Sequence, residues 1–490
     1  MNYLGFDAYE TSINKIELTV VVPKADRGYD DKVESFTVFM AKEAGQDFLV
    51  VQGENPGFKG KKVSEGVIKA PLNHANAKVL RNVFPFTAPS KVLGEDRSFG
   101  VGDRLGIATP GHIRLFKNYD VYPVFAQQSI RELNLTNRTY EDVLDAASFA
   151  VFREGFKKSW GADGDHLKTA DDVKKALSLG FTMITLDCSE HINNNVTDEN
   201  APPLPKKYAD KYLGVEFDIG EKTRLSFTEW ELKKIAAIYG NAITFAVDIY
   251  KKLFKKGKYN ADLEISIDET STPTTPLQHY FVARELIDAG VSFATLAPRF
   301  CGDFQKGVDY IGDLAQFEKE IKIHAVIARH FKYKLSIHSG SDKFSVFPSI
   351  GKATKSRFHV KTAGTNWLEA MRVVALKDPA LYREIHQYAL DVAFDEARKY
   401  YHVTTNLKNI PKLDTLKDAE LPGLFEQNDS RQLIHITYGL ILGKKNDDGS
   451  FAFKDRLYKL WQDRAEDYAK ALVKHIGKHL TKLGAKKVTP

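Results

Sequence analysis

Cysteine is nearly absent: the 490 residues hold only Cys188 and Cys301, far apart and without a CxxC pair. A disulfide framework is therefore not suggested, and a reducing compartment or inert burial is expected. No run reaches the roughly 18 to 20 apolar residues needed to cross a bilayer, and MNYLGFDAYETSINK has neither a basic start nor an apolar core. A cytoplasmic protein with no membrane partner is the expectation. No long stretch combines low hydrophobicity with high net charge, so with 43% hydrophobic residues the chain can bury a large core. GxSxG, HExxH and a GKS or GKT ending are all missing, which argues against a serine hydrolase, a zinc protease and a P-loop. The net charge of +6 comes from scattered lysines and a basic tail, Lys470 to Lys487, that reads as the solvated face of a terminal helix. Aromatic platforms and a recognition motif are lacking, so no nucleic-acid partner is expected.

Two regions differ in pattern. Residues 1–97 show alternating apolar stretches, KIELTVVVP, ESFTVFMAK and DFLVVQGE, separated by turn residues, and predict an appended β-rich domain. Residues 98–490 predict a metal-dependent (β/α)8, TIM-like barrel. From residue 120 onward eight strand-like segments alternate with helical ones: DVYPVFAQQS, SWGADGDH, FTMITLDCSEH, LEISIDET, VSFATLAPRF, KLSIHSGSD, FHVKTAGT and LIHITYG. An insertion at about 188–260 could form a lid or a subunit contact, and a homo-oligomer is compatible with it. SFGVGDRLGIATPGHIRLF, Ser98 to Phe116, reads as a glycine-rich loop. Arg104, Thr109 or His112 there either touch a ligand or pack the loop.

In such a barrel the carboxyl ends of the strands form the catalytic face. Here they carry Gln127, Gln128, Asp165, His166, Asp187, Asp268, Glu269, Arg299, His338, Lys361 and His435. Two imidazoles and a carboxylate, His166, His338 and Glu269, could bind a divalent cation such as zinc, manganese, cobalt or nickel, with Asp268 the rival of Glu269. Asp187 either orients a ligand histidine or caps the next segment. Lys343 and Lys361 are candidates for a substrate anion, with Lys168 and Arg299 competing. Histidines of the helical run IKIHAVIARHF, and those of the terminal helix, read as structural.

GDRLGIATPGHI, FREGFKKSWGADGDHLKT, LEISIDET, KLSIHSGSDKFSVFP, KTAGTNWLEA and IHITYG together resemble the tagaturonate epimerase family of hexuronate catabolism. The resemblance runs from about residue 98 to the carboxyl terminus. It implies a metal-dependent barrel interconverting D-tagaturonate and D-fructuronate, with a hexuronate-derived keto acid as its small-molecule partner. Motif by motif it points to Asp165 and His166 in DGDH, Glu269 in SIDET, and His338 and Lys343 in SIHSGSDK. The carbon inverted in that reaction lies β to the ketone, where enolisation does not acidify its hydrogen, so retro-aldol cleavage and re-addition is the expected route. Asp165 and Asp268, and less directly His435, are the acid–base candidates, while Gln128 and Thr365 are candidates for binding hydroxyls. No NAD is expected, because a dinucleotide fingerprint is missing. Another metal-dependent sugar isomerase or aldolase, and a silent carbohydrate-binding barrel, are the alternatives.

Overall fold

The structure is a computed structural model, described over residues 1–23 and 29–488. Eight parallel strands close a barrel: β1 Arg97–Val101, β2 Tyr122–Ser129, β3 Gly161–Leu167, β4 Met183–Asp187, β5 Asp262–Ile267, β6 Thr295–Pro298, β7 Lys334–Ile337 and β8 Phe358–Thr362. The ring closes where β8 pairs with β1, Phe358 opposite Arg97 and Thr362 opposite Val101.

Side chains alternate across a strand, and that alternation decides what fills this barrel. In β5, Leu263, Ile265 and Ile267 join the apolar layer shared with the surrounding helices. Glu264 and Ser266 take the inward positions, and Glu264 accepts hydrogen bonds from Thr185 at 3.0 Å and Thr295 at 2.7 Å. The same rule turns Lys334, His359 and Lys361 inward. Lys334 Nζ donates to Ser98 Oγ at 2.8 Å, and that hydroxyl lies 2.9 Å from His359 Nδ1. The barrel interior is thus a largely hydrogen-bonded polar stack, in which Ser336 Oγ and His359 Nε2 are buried without a partner.

The expected barrel class holds, with one strand reassigned. Seven of the eight anticipated segments are β2 to β8, but LIHITYG is not a strand. It lies in the helices Asn428–Ile436 and Tyr438–Gly443, and Arg431 to Ile436 are all buried. Packing among the carboxyl-terminal helices overrides its β-branched pattern there. The remaining strand is β1, within the stretch expected to be a loop, and the helix Thr109–Phe116 follows it. Its glycine is required by a neighbour: a Cβ on Gly100 would overlap Gln127 Oε1.

Seven antiparallel strands between Asn2 and Pro71 form a separate sheet. One face, with Phe36, Val38, Met40, Leu49 and Val51, packs with Phe149 and Phe152 of the barrel helix Tyr140–Arg153. Thr139 starts that helix with a reciprocal capping box to Asp142. Between β4 and β5 lie the helix Lys206–Tyr212, the short strands Phe217–Asp218 and Arg224–Leu225, and the helix Glu229–Ile249, which packs on the helix Pro276–Asp288. Cys188 and Cys301 are both free and buried. Among the described residues no helix is long and apolar enough to cross a membrane.

Candidate active site

A cavity of about 810 Å³ opens at the carboxyl ends of the strands, lined by Asp165, His166, Asp187, Asp268, His338 and Lys361 among others. Asp165 and His166 are consecutive, so strict alternation would send one of them into the helical layer. His166 instead adopts φ +53°, and the β3–β4 register slips between Gly164 and Leu167. A bulge with a left-handed, non-glycine residue is strained backbone of the kind concentrated at functional sites. Its effect is to bring both side chains to the cavity.

Each histidine is backed by a carboxylate. His338 Nε2 lies 2.7 Å from Glu264 Oε1, and its Nδ1 lies 3.2 Å from Asp268 Oδ1. His166 Nδ1 lies 3.4 Å from Asp187 Oδ2, and the two imidazole rings meet edge to face at 4.9 Å. Such carboxylates fix ring orientation and raise ligand basicity where histidine binds a metal. Ligand-capable atoms of His166, Asp268 and His338 fall within 4.8 Å of one another, and so do those of His166, Asp187 and Glu269. His166 Nδ1, Asp165 Oδ1 and Asp187 Oδ2 are held by ion pairs, with each other or with Lys361 and Lys168. Two imidazoles and a carboxylate converging in a buried cavity are a donor set that fits a divalent cation.

The second trio is the poorer cation site. Lys168 Nζ stands 3.6 Å from Asp187, 3.4 Å from Glu190 and 3.8 Å from Glu269, and already supplies positive charge there. The first trio has no lysine on its carboxylate. Instead Lys361 lies beside it, pairing with Asp163 at 2.7 Å, with Asp165, and with Glu264 at 3.5 Å, and donating to Thr185 Oγ1 at 2.6 Å.

Burial and these charges set the ionisation. Burial pushes the Asp163 carboxyl up to about 6, against the pull of Lys361. Burial would also raise Asp165, but Lys361 and His166 hold it below the ordinary carboxylate range. For His338, burial disfavours the imidazolium, yet Asp268 and Glu264 outweigh it and lift the group to about 10. Asp187 falls to about 2, because its bonds to His166 and Ser189 overcome burial. Without a cation the site is therefore a buried array of imidazolium, ammonium and carboxylates.

A family profile for tagaturonate epimerase matches residues 29–483. The chain belongs to the tagaturonate epimerase family. The tagaturonate/fructuronate epimerase of Thermotoga maritima is 45% identical over 471 residues, covering 93% of this chain and 95% of that one. The native crystal structure of the fructuronate-tagaturonate epimerase of Cohnella laeviribosi superimposes with a TM-score of 0.92 at 47% identity, covering 98% of this chain and 97% of that one. A glycerol complex of the same protein gives 0.91 with the same identity and coverage.

Of the residues anticipated for an epimerase site, the cavity wall contains Asp165, His166, Lys168, Asp268, Glu269, Arg299, His338 and Lys361. Gln127 lines the cavity, whereas its neighbour Gln128 faces the other way and accepts from Arg138 Nη1 at 2.6 Å. Lys343 is buried outside the wall, donating to the carbonyls of Gln305, Val308 and Ser341 at 2.8, 2.6 and 2.9 Å. Thr365 and His435 are also buried outside it, and the His435 ring occupies the space where a Cβ on Gly364 would lie. Of the glycine-rich segment's candidates Arg104 is in the wall, while Thr109 and His112 are not, and the wall gains Lys306, Tyr401 and His402, which the strand-end pattern does not reach. None of residues 188–260 lines the cavity; Asn194 touches its rim by accepting from Ser271 N at 3.0 Å. His324 is structural, buried with His279 at 2.8 Å.

Proposed function

We propose that this chain interconverts D-tagaturonate and D-fructuronate by metal-dependent retro-aldol cleavage and re-addition. The observation that carries the reading is the convergence of His166, His338 and Asp268, each imidazole braced by its own carboxylate, inside the barrel cavity of a tagaturonate epimerase family member. We assign the cation to that trio, with zinc, manganese, cobalt or nickel matching two imidazoles and a carboxylate. When bound it supplies Lewis-acid chemistry, drawing electron density from a ketone and its adjacent hydroxyl and so favouring an enediolate.

The side chains do the rest. Counting from the hydroxymethyl end, Asp165 takes the proton of the C4 hydroxyl, kept ready by the Lys361 ammonium that holds it ionised. The C3–C4 bond breaks, its electron pair passes toward the C2 ketone, and C4 becomes an aldehyde. Rotation about C4–C5 turns the other aldehyde face to C3, and re-addition inverts C4. Glu269 serves the hydroxyl of the opposite configuration, and proton exchange through cavity water resets both carboxyls. Lys361 positions Asp165 and does not itself take the substrate anion, since three carboxylates already surround it. Enclosure in the cavity keeps the two fragments in register for recombination.

The direct test is chromatography of D-tagaturonate incubated with chelator-stripped protein, before and after a divalent cation is restored. D-Fructuronate only after restoration supports the reading. No conversion by folded, metal-loaded protein, or accumulation of an aldose, sinks it.

A further inference from the structure

The proposed reaction acts on an anion, and the cavity's cations differ in whether their charge is already used. Lys361 is enclosed by Asp163, Asp165 and Glu264, and Lys168 by Asp187, Glu190 and Glu269. Lys306 differs in having no carboxylate partner among the described residues, as do Arg299, which donates to the Thr270 carbonyl, and the exposed Arg131 of the same wall. It lines the cavity half-buried, with its ammonium 3.4 Å from Ser339 Oγ. Ser339 directly follows His338, a proposed ligand, and both line the same cavity.

Arg104 contributes a different feature. Its Nε and Nη2 donate to Glu132 Oε1 at 2.8 and 2.5 Å, and its guanidinium stacks on the Tyr438 ring at 4.1 Å. It lines the cavity only 2% exposed, and Nη1 is buried without a partner. A guanidinium locked on one edge and one face, with its last nitrogen unsatisfied, is a preorganised donor awaiting an acceptor. Glu132 balances its charge, so Arg104 offers direction and Lys306 offers net charge. His435 lies near both: burial, Arg104 and Lys306 together depress its ring, which stays neutral and adds no third cation.

We propose that Arg104 and Lys306 form the subsite that receives the substrate's carboxylate. The assignment rests on the epimerase reading above and places the anion where the pattern of strand ends did not, in the glycine-rich segment after β1 and the loop after β6. It has a consequence for the chemistry. Cleavage of C3–C4 leaves C4 to C6 as a three-carbon aldehyde acid, whose carboxylate is its strongest handle. The subsite therefore retains that fragment while its aldehyde turns, and a weakened subsite releases it with dihydroxyacetone, the protonated form of the other half.

The test compares D-tagaturonate with D-tagatose, which carries a hydroxymethyl group in place of the carboxylate. Lys306→Met should lower kcat/KM for the uronate roughly 10- to 100-fold, the worth of a charge-assisted contact, and leave the neutral sugar within about twofold. Three-carbon fragments should rise relative to epimer. Arg104→Lys keeps the charge but cannot hold Glu132 and present a fixed N–H together, so it should lose the same preference. Equal loss on both substrates, or unchanged discrimination, overturns the assignment. Calorimetry of L-glycerate, which shares the C5 configuration of the C4 to C6 end, separates this from failure of the epimerase reading. Binding at least tenfold weaker to Lys306→Met supports the subsite even if the wild type turns over neither sugar, and equal affinity, including none at all, overturns it.

Discussion

Replacing Glu264 with Gln isolates the carboxylate behind His338. Thr185 and Thr295 donate to different carboxylate oxygens, at 3.0 and 2.7 Å, so the amide oxygen keeps one of these bonds while the amide nitrogen must donate at the other position, and the side chain's shape in the barrel stack is preserved. What is lost is negative charge 2.7 Å from His338 Nε2 and 3.5 Å from Lys361 Nζ. Removing such a partner typically costs about 10- to 100-fold in metal affinity, or about 1.4 to 2.8 kcal/mol. The pH dependence gives the prediction its signature. In the metal-free protein burial opposes the His338 imidazolium, but Asp268 and Glu264 hold its pKa at about 10. A cation must displace that proton, so wild-type affinity should rise about tenfold per pH unit between pH 7 and 9. Glu264→Gln lowers the imidazole's basicity toward both proton and metal. Its affinity loss should therefore be largest at pH 9 and shrink toward pH 7, with a flatter slope than the wild type. Calorimetric titration of manganese into stripped protein at several pH values measures both. Identical slopes, or unchanged affinity at every pH, would refute the role given to Glu264.

Stripped protein should also lose thermal stability as pH rises. A group raised from 6.5 to about 10 on folding contributes fully below 6.5, and its contribution disappears by about 10. Melting curves across that window should fall, and a flat profile would contradict the His338 environment. Lys361→Met strands Asp163 and Asp165 without their counter-charge and should cost about 3 to 5 kcal/mol, read by denaturant unfolding. A loss under about 1 kcal/mol would show that the buried carboxylates find another partner. Gly364→Ala drives a Cβ into His435 Nε2 and should destabilise by about 1 to 3 kcal/mol while displacing the cavity wall at residue 364. Wild-type stability there would mean that the ring moves freely.

Much of this architecture is legible in the chain because strand ends change character abruptly. The buried β3 and β7 segments run into DH and HSGS, and the resulting His166–His338 pair is what the structure brings together. Adjacent Asp268 and Glu269 could not be separated by sequence, since their difference lies in which one faces His338 and which one meets Lys168. Glu264 and Asp163 carried a readable signal: each is a polar inward position between residues of the outer layer, as in LEISI. Arg104 was legible only as one of three possible ligand contacts, because β1 is short and interrupted by Gly100. The residue reads as part of a loop, and its partner Glu132 lies 28 positions away. LIHITYG misleads for the opposite reason, since its β-like composition is buried in a helical core.

The central claim is epimerisation through metal-dependent cleavage of a carbon–carbon bond, and solvent labelling tests it most directly. D-Tagaturonate is incubated in deuterium oxide with stripped and with metal-restored protein, and the product is read by NMR. The account predicts D-fructuronate only in the restored sample, with the original hydrogen still on C4, because that C–H bond is never broken. Deuterium at C4, or equal conversion by the stripped protein, would contradict it.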